Sequence, residues 1–203
     1  MNSRTVDALL FDLGGVVLEV DFERVFKHWA TTNNVPIEHI KQRFAMDEAY
    51  QQHERGLISG SEYFAHLRSS LGLSADDVTM TAGWNAIFGN EIDLALDAID
   101  QVSDRYPCYG FTNTNAVHQE YWEREHPRIR QSFNQVFVSS EMGLRKPDLQ
   151  SFEHILDETS TKAGAMLFFD DTAENIEGAL RAGLQAIQVS SAADVVKALR
   201  ALA

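Results

Sequence analysis

The chain is poor in cysteine and proline and has no concentration of positive charge. Its one cysteine, Cys108, excludes an internal disulfide and leaves a thiolate metal cluster without partners. It lies in the strand-like run Cys108-Tyr109-Gly110-Phe111 and reads as a small buried core residue. Seventeen Lys and Arg stand against thirty Asp and Glu, a net charge of −13 with no basic block. That balance argues against nucleic acid and anionic membranes as partners, since phosphate backbones need a basic footprint. No segment approaches the ~20 apolar residues that span a bilayer. The first apolar stretch is short and broken by Asp7 and Asp12, unlike a secretory signal, so a cytoplasmic location is expected. The seven histidines show no zinc-ligand spacing, and there is no internal repeat or low-complexity tract.

What is present is an ordinary globular composition, 44% hydrophobic and 23% charged, over 203 residues. That length suits one domain, or a core carrying a modest insertion, and a monomer is expected. The apolar run Val6–Phe11 reads as a buried strand ending at Asp12. From Glu91 onward helical patterns and short apolar runs alternate. Helices are predicted over Glu91–Ser103, Asn115–Glu125, Pro147–Glu158, Thr172–Ala182 and Ala192–Leu202. Strands are predicted over Cys108–Phe111, Val136–Val138, Ala165–Phe169 and Ala186–Val189. Strands apolar on both faces and separated by helices imply a doubly wound parallel sheet of the α/β class. Ligands of such sheets bind beyond the carboxyl ends of the strands, where Asp12, Thr112 and Asp170 fall.

Residues 21–90 have a different texture, with helix after helix and no convincing strand. Pro36 suits a helix start, Ser59-Gly60-Ser61-Glu62 and Ser74-Ala75-Asp76-Asp77 fit the capping-box spacing, and Gly72 and Gly89 suit helix stops. About seventy residues of helix is too long for an ordinary crossover. The expected organisation is a core of residues 1–20 and 91–203 with a helical-bundle cap of residues 21–90 inserted over the strand ends.

Four signals carry the chemistry. Asp12 ends the first strand and leads into Leu13-Gly14-Gly15, Thr112 ends the second apolar run, and Lys146 sits in Arg145-Lys146-Pro147. Asp170-Asp171 end the run Met166–Phe169. A nucleophilic carboxylate, a hydroxyl, an ammonium and a carboxylate pair, each just past a strand or turn, suit phosphoryl transfer through an aspartyl-phosphate. Singly, each has a plainer reading: Asp12 as a turn cap, or Asp170-Asp171 as a solvated helix start favoured by the dipole. Together and in this order they resemble the four motifs of the haloacid dehalogenase superfamily.

Charge then suggests the roles. A phosphomonoester dianion repels carboxylates, so a nucleophilic Asp12 needs a hard cation between them, and Mg2+ prefers oxygen ligands. Asp12, Asp171 and the Gly14 carbonyl are the expected ligands, with Asp170 holding a bound water or acting as a further ligand and Asn175 orienting that shell. Lys146 neutralises charge on Asp12 and the transferring group, while the Thr112 hydroxyl and the Asn113 backbone N–H grip phosphoryl oxygens.

One position departs from the superfamily pattern. Most of its phosphatases carry a second Asp two residues after the nucleophile as general acid and base, and here that residue is Gly14. A general acid typically contributes ~10²–10⁴-fold, so departure of the alcohol is left unassisted and a phosphomutase is disfavoured. An anomeric sugar hydroxyl leaves more easily, which makes a sugar 1-phosphate a sensible substrate. The resemblance points the same way. Phe11-Asp12-Leu13-Gly14, Gln52-His53-Glu54-Arg55-Gly56, Thr112-Asn113-Thr114-Asn115 with His118 and Trp122, and Phe168-Phe169-Asp170-Asp171 are similar to the bacterial α-D-glucose 1-phosphate phosphatases of the superfamily. The resemblance makes His53, Glu54 and Arg55 substrate-binding residues of a cap loop that closes over the sugar. His118 and Trp122, four apart on one helical face, read as packing residues with substrate contact as the alternative, and Trp84 as cap core. Two other readings stay open: a metal-free dehalogenase, disfavoured by the extra carboxylates, and a phosphosugar-binding protein without turnover.

Overall fold

The structure, a computed structural model, describes residues 5–202; the opening four residues of the expected core segment 1–20, and Ala203, lie outside the described residues. Five strands form one parallel sheet: β1 (Ala8–Phe11), β4 (Cys108–Thr112), β5 (Gln135–Val138), β6 (Met166–Asp170) and β7 (Gln185–Gln188). Their spatial order is β5-β4-β1-β6-β7, with Leu9 opposite both Cys108 and Leu167. Strand order reverses on either side of β1, so the carboxyl end of β1 lies at the crevice where such sheets bind ligands.

The period of two along the strands sorts their side chains into two cores. Leu9 and Phe11 join Cys108, Leu167 and Phe169 on one face, and Ala8 and Leu10 join Met166 and Phe168 on the other. The first face is covered by α6 (Asp93–Val102), α7 (Ala116–Glu125), α8 (Pro127–Gln131) and α12 (Ala192–Arg200), through residues such as Leu96, Ile99, Trp122, Ile129 and Val195. The second is covered by α10 (Leu149–Glu158) and α11 (Ala173–Arg181), through Phe152, Ile155 and Ala179. A single turn, α9 (Ser139–Met142), follows β5 directly. All four residues of β1 are buried, which is why the run shows no polar alternation. Cys108 is fully buried, as expected.

Between β1 and β4 the chain builds α1 (Phe22–Asn33), α2 (Ile37–Lys41), α3 (Glu48–Glu54), α4 (Gly60–Leu71) and α5 (Asp77–Asn85). These helices share a third core, with Trp29, Tyr63, Phe64, Leu67, Met80 and Trp84 at its centre. Pro36 caps α2, Ser59 and Glu62 form the expected capping box on α4, and Gly72 ends α4 at φ 66°.

Three local expectations are corrected. Residues 21–90 do contain strand: β3 (Phe88–Glu91) pairs antiparallel with β2 (Leu18–Val20) as the chain leaves and re-enters the helical segment. Phe88-Gly89-Asn90-Glu91 has no apolar alternation to signal it; the ribbon is held by pairing and by Asn90 N–H donating to Glu19 Oε2. Gly89 is therefore a strand residue rather than a helix stop. Asp76, not Ser74, caps α5, because its carboxylate accepts from the Thr79 N–H. Among the described residues no helix is long and apolar enough to cross a membrane.

Candidate active site

Each chemical group arrives at the end of a parallel strand or on the loop that follows. β1 delivers Asp12, β4 delivers Thr112, and β6 ends in Asp170 with Asp171 next. Lys146 comes from the loop between α9 and α10. Its ammonium has three N–H donors, and each is used: Asp12 Oδ1 at 2.8 Å, Asp170 Oδ2 at 2.8 Å and the Phe111 carbonyl at 2.9 Å. The side chain is 1% exposed and also lies over the Phe111 and Phe168 rings. Its backbone is held as firmly. The Asn113 amide donates to the Lys146 carbonyl and accepts from the Lys146 N–H, both at 2.9 Å.

The carboxylates divide by environment. Asp170 is fully buried and saturated, accepting from Lys146, from the Thr172 N–H and, at both oxygens, from the Asn175 amide. Asp12 accepts at Oδ1 from Lys146 and from the Leu13 N–H at 2.7 Å. Asp171 is exposed, and its carboxylate accepts from the Thr172 hydroxyl. One oxygen from each of the three lies within 4.8 Å of the others. Burial pushes the Asp12 carboxyl up to about 7, against the pull of Lys146 and with added repulsion from Asp170 and Asp171. Partial desolvation and the Asp170 charge also raise Asp171, exposed though it is, and the Asp12 and Asp170 carboxylates outweigh burial to raise Lys146. Three hard oxygen donors at that spacing, with one ammonium to oppose them, fit a magnesium ion.

The loop after Asp12 explains its glycines. Gly15 has φ +74°, and a Cβ there would fall 2.2 Å from Asp171 Oδ2, so a side chain would collide with that carboxylate. Gly14 is not in the left-handed region, and a Cβ would meet Val20 Cγ2 at 3.3 Å, tight but adjustable.

A cavity of about 410 Å³ opens onto this cluster. Asp12, Gly14, Thr112, Asn113, Lys146, Asp171 and Asn175 line its polar end. Of the three cap residues expected at the substrate, Glu54 lines the cavity, while His53 and Arg55 do not. His53 is buried against Tyr63 with ring centres 4.5 Å apart, and Arg55 pairs with Asp148 at 2.8 Å. Burial holds His53 down at about 4, hence neutral. Glu54 pairs with Arg145 at 2.7 Å, and burial raises its carboxyl despite that cation. His118 and Trp122 both pack and line the cavity, but the two His118 nitrogens are engaged by Trp84 O and the Asn115 amide. Trp84 lies in the core shared by α1–α5, stacked on Trp29 at 5.8 Å. Sequence reasoning missed Arg145, whose only signal was its place beside Lys146. It also missed the apolar lining of Leu18, Val20, Phe22, Met46, Ile87 and Phe88.

Comparison with known proteins agrees with this geometry. The sesquiterpene phosphatase astK of Aspergillus oryzae is 27% identical over 98% of this chain and 97% of its own length. The D-ribitol-5-phosphate phosphatase of Bacteroides thetaiotaomicron is 23% identical over 92% of this chain and 93% of its own. A haloacid dehalogenase (HAD) family enzyme of Bacteroides thetaiotaomicron, crystallised with magnesium and inorganic phosphate, superposes with a TM-score of 0.80 at 25% identity, covering 90% of this chain and 93% of that one. The family model of haloacid dehalogenase-like hydrolases matches residues 6–183, and the chain belongs to that family.

Proposed function

We propose that this hydrolase is a magnesium-dependent phosphatase that hydrolyses a small phosphosugar, with α-D-glucose 1-phosphate as substrate, through an aspartyl-phosphate on Asp12. The observation that carries the reading is Lys146, buried and bonded at once to Asp12 and Asp170 beside a third carboxylate at the mouth of a cavity. Asp12 Oδ attacks phosphorus, the bond to the ester oxygen breaks, and the alcohol departs with its electron pair. Water then cleaves the acyl-phosphate, releasing inorganic phosphate and restoring Asp12. Lys146 offsets charge on Asp12 and on the phosphoryl group, and Thr112 with the Asn113 N–H grips phosphoryl oxygens. Asp12, Asp171 and the Gly14 carbonyl would hold magnesium, with Asp170 holding a bound water or serving as a further ligand, and the ion would supply positive charge to offset the repulsion between these carboxylates and the phosphate dianion. Gly14 offers no proton, which favours leaving groups as acidic as an anomeric hydroxyl.

One observation favours a second substrate class, the phosphate of an apolar alcohol. Away from the carboxylates the cavity is lined by Leu18, Val20, Phe22, Met46, Ile87 and Phe88. The Asn113 amide, the His118 ring and the Glu54–Arg145 pair are already engaged, which leaves few groups for sugar hydroxyls. The similarity to a sesquiterpene phosphatase supports this alternative. The test is a panel of p-nitrophenyl phosphate, glucose 1-phosphate, glucose 6-phosphate, an isoprenyl monophosphate and haloacetate, each with and without Mg2+. Mg2+-dependent turnover with glucose 1-phosphate far ahead of glucose 6-phosphate is expected. Preference for the isoprenyl ester would select the second class, metal-free turnover of haloacetate would select a dehalogenase, and no turnover at all would leave a binding protein.

A further inference from the structure

Two consecutive cap residues reach the two residues that flank Lys146-Pro147. Glu54 Oε2 accepts from Arg145 Nε at 2.8 Å and lies 2.7 Å from its terminal nitrogen as an ion pair, and Arg55 donates to Asp148 Oδ2 at 2.8 Å. The backbone reinforces the contact. The Ser139 hydroxyl lies 2.7 Å from the Glu54 carbonyl and accepts from the Thr114 N–H. Gly56, at φ +67°, passes so close to the Ser140 carbonyl that a Cβ would stand 2.3 Å from that oxygen. The signs are crossed: acid–base in one pair, base–acid in the other. Either misregistered pairing, Glu54 on Asp148 or Arg55 on Arg145, would put like charges together, so the arrangement specifies one seating of the cap.

We infer that Glu54 and Arg55 form with Arg145 and Asp148 a crossed clasp that seats the cap on the core and positions Lys146. This rests on Lys146 being the cation at the phosphoryl group, as proposed above. From the core side Lys146 is fixed by Asn113 and by its three ammonium hydrogen bonds. From the cap side the clasp fixes the chain immediately before it and two residues after it. The clasp thus couples seating of the cap to placement of the catalytic ammonium. Glu54 and Arg145 line the cavity, so substituting them would also alter substrate contacts. Arg55 and Asp148 do not, and the pair between them reads the clasp alone.

The experiment is a charge swap: Arg55→Asp, Asp148→Arg and the double variant, each measured for p-nitrophenyl phosphate turnover and for backbone amide exchange through residues 143–148. Each single variant is expected to lose roughly ten- to a hundredfold in kcat, the scale of a small misplacement of a catalytic group, and to exchange faster in that segment. The double variant should recover both. Arg55→Gln and Asp148→Asn, which carry no reversed charge, give the same comparison in milder form if a swapped single does not fold. Unchanged kcat and exchange in the singles would overturn the clasp, as would a double no better than either single. Faster exchange with unchanged kcat would overturn the positioning of Lys146. If the wild type turns over no phosphate ester, the phosphatase reading fails, while the exchange data still decide the clasp.

Discussion

The strand ends and the helical segment 22–85 differ in how completely their buried polar atoms are paired. At the core's strand ends Asp170, Lys146, Ser139, Asn115 and Asn175 are buried and each has protein hydrogen-bond partners, several of them more than one. In the helical segment 22–85 Trp29 Nε1 and Glu54 are paired, but His53 Nε2, Tyr63 Oη, Trp84 Nε1 and Asn85 Oδ1 are buried without a protein partner, and Trp122 Nε1 shares that state where α7 meets this segment. The cap holds together instead by aromatic contact: Trp84 lies within 6.3 Å, ring centre to ring centre, of Phe22, Trp29, Phe44, Tyr50, Tyr63 and His118. Directional bonds fix charges in one geometry, as phosphoryl transfer requires, whereas area burial is non-directional and tolerates small shifts.

That contrast breaks first at Asp12. Asp12→Asn should lower turnover by about four orders of magnitude or more, because an amide forms no acyl-phosphate, while its melting temperature stays at or above that of the wild type. Appreciable activity would move the nucleophile elsewhere. Lys146→Met should cost activity and also about 3–5 kcal/mol of stability, since it leaves buried carboxylates uncompensated. Urea unfolding should show a larger loss in chelator than in Mg2+; equal losses would argue against a cation among Asp12, Asp170 and Asp171.

Trp84→Ala should do the reverse. The lost packing costs about 3–5 kcal/mol, yet kcat for a small aryl phosphate, measured well below the melting temperature, should change far less than in the core variants. A collapse of kcat equal to that of Lys146→Met would erase the distinction between the two regions. Acid should also reach the cap. Burial lowers His53 from 6.5 to about 4, so between those values the unfolded chain binds a proton that the folded one does not. The His53 contribution is therefore full above about pH 6.5 and is lost as the pH drops towards 4, with His118, lowered to about 3, extending the loss. Asp12, raised to about 7, acts in the opposite sense over the same range. In the Asp12→Asn background, which removes the opposing titration, melting curves from pH 8 to 4.5 should show the decline, and adding His53→Phe should flatten part of it. The smallest effect is expected for Gly14→Asp, which needs only a slight retreat of Val20. In single turnover it should speed glucose 6-phosphate more than glucose 1-phosphate; equal rates for both esters in the wild type would mean that another group donates the proton.

The parallel core is legible along the chain, because strands buried on both faces must be written as apolar runs such as Ala8–Phe11 and Met166–Phe169. The sequence also singled out Asp12, Thr112, Lys146, Asp170 and Asp171, since each follows a strand or turn whose signal is local. The helical texture of the stretch after Asp21 was legible from capping residues for the same reason. Tertiary structure decided what depends on partners distant in sequence. The strand β3 exists through its pairing with β2, not through any pattern in Phe88–Glu91. Arg55 meets Asp148 across 93 residues, and Glu54 meets Arg145 across 91. The cavity gathers Leu18, Met46 and Phe88 from three separate segments. Nothing local marks such residues, because their roles lie in the contacts themselves, and those are set only when the helical segment packs against the strand ends.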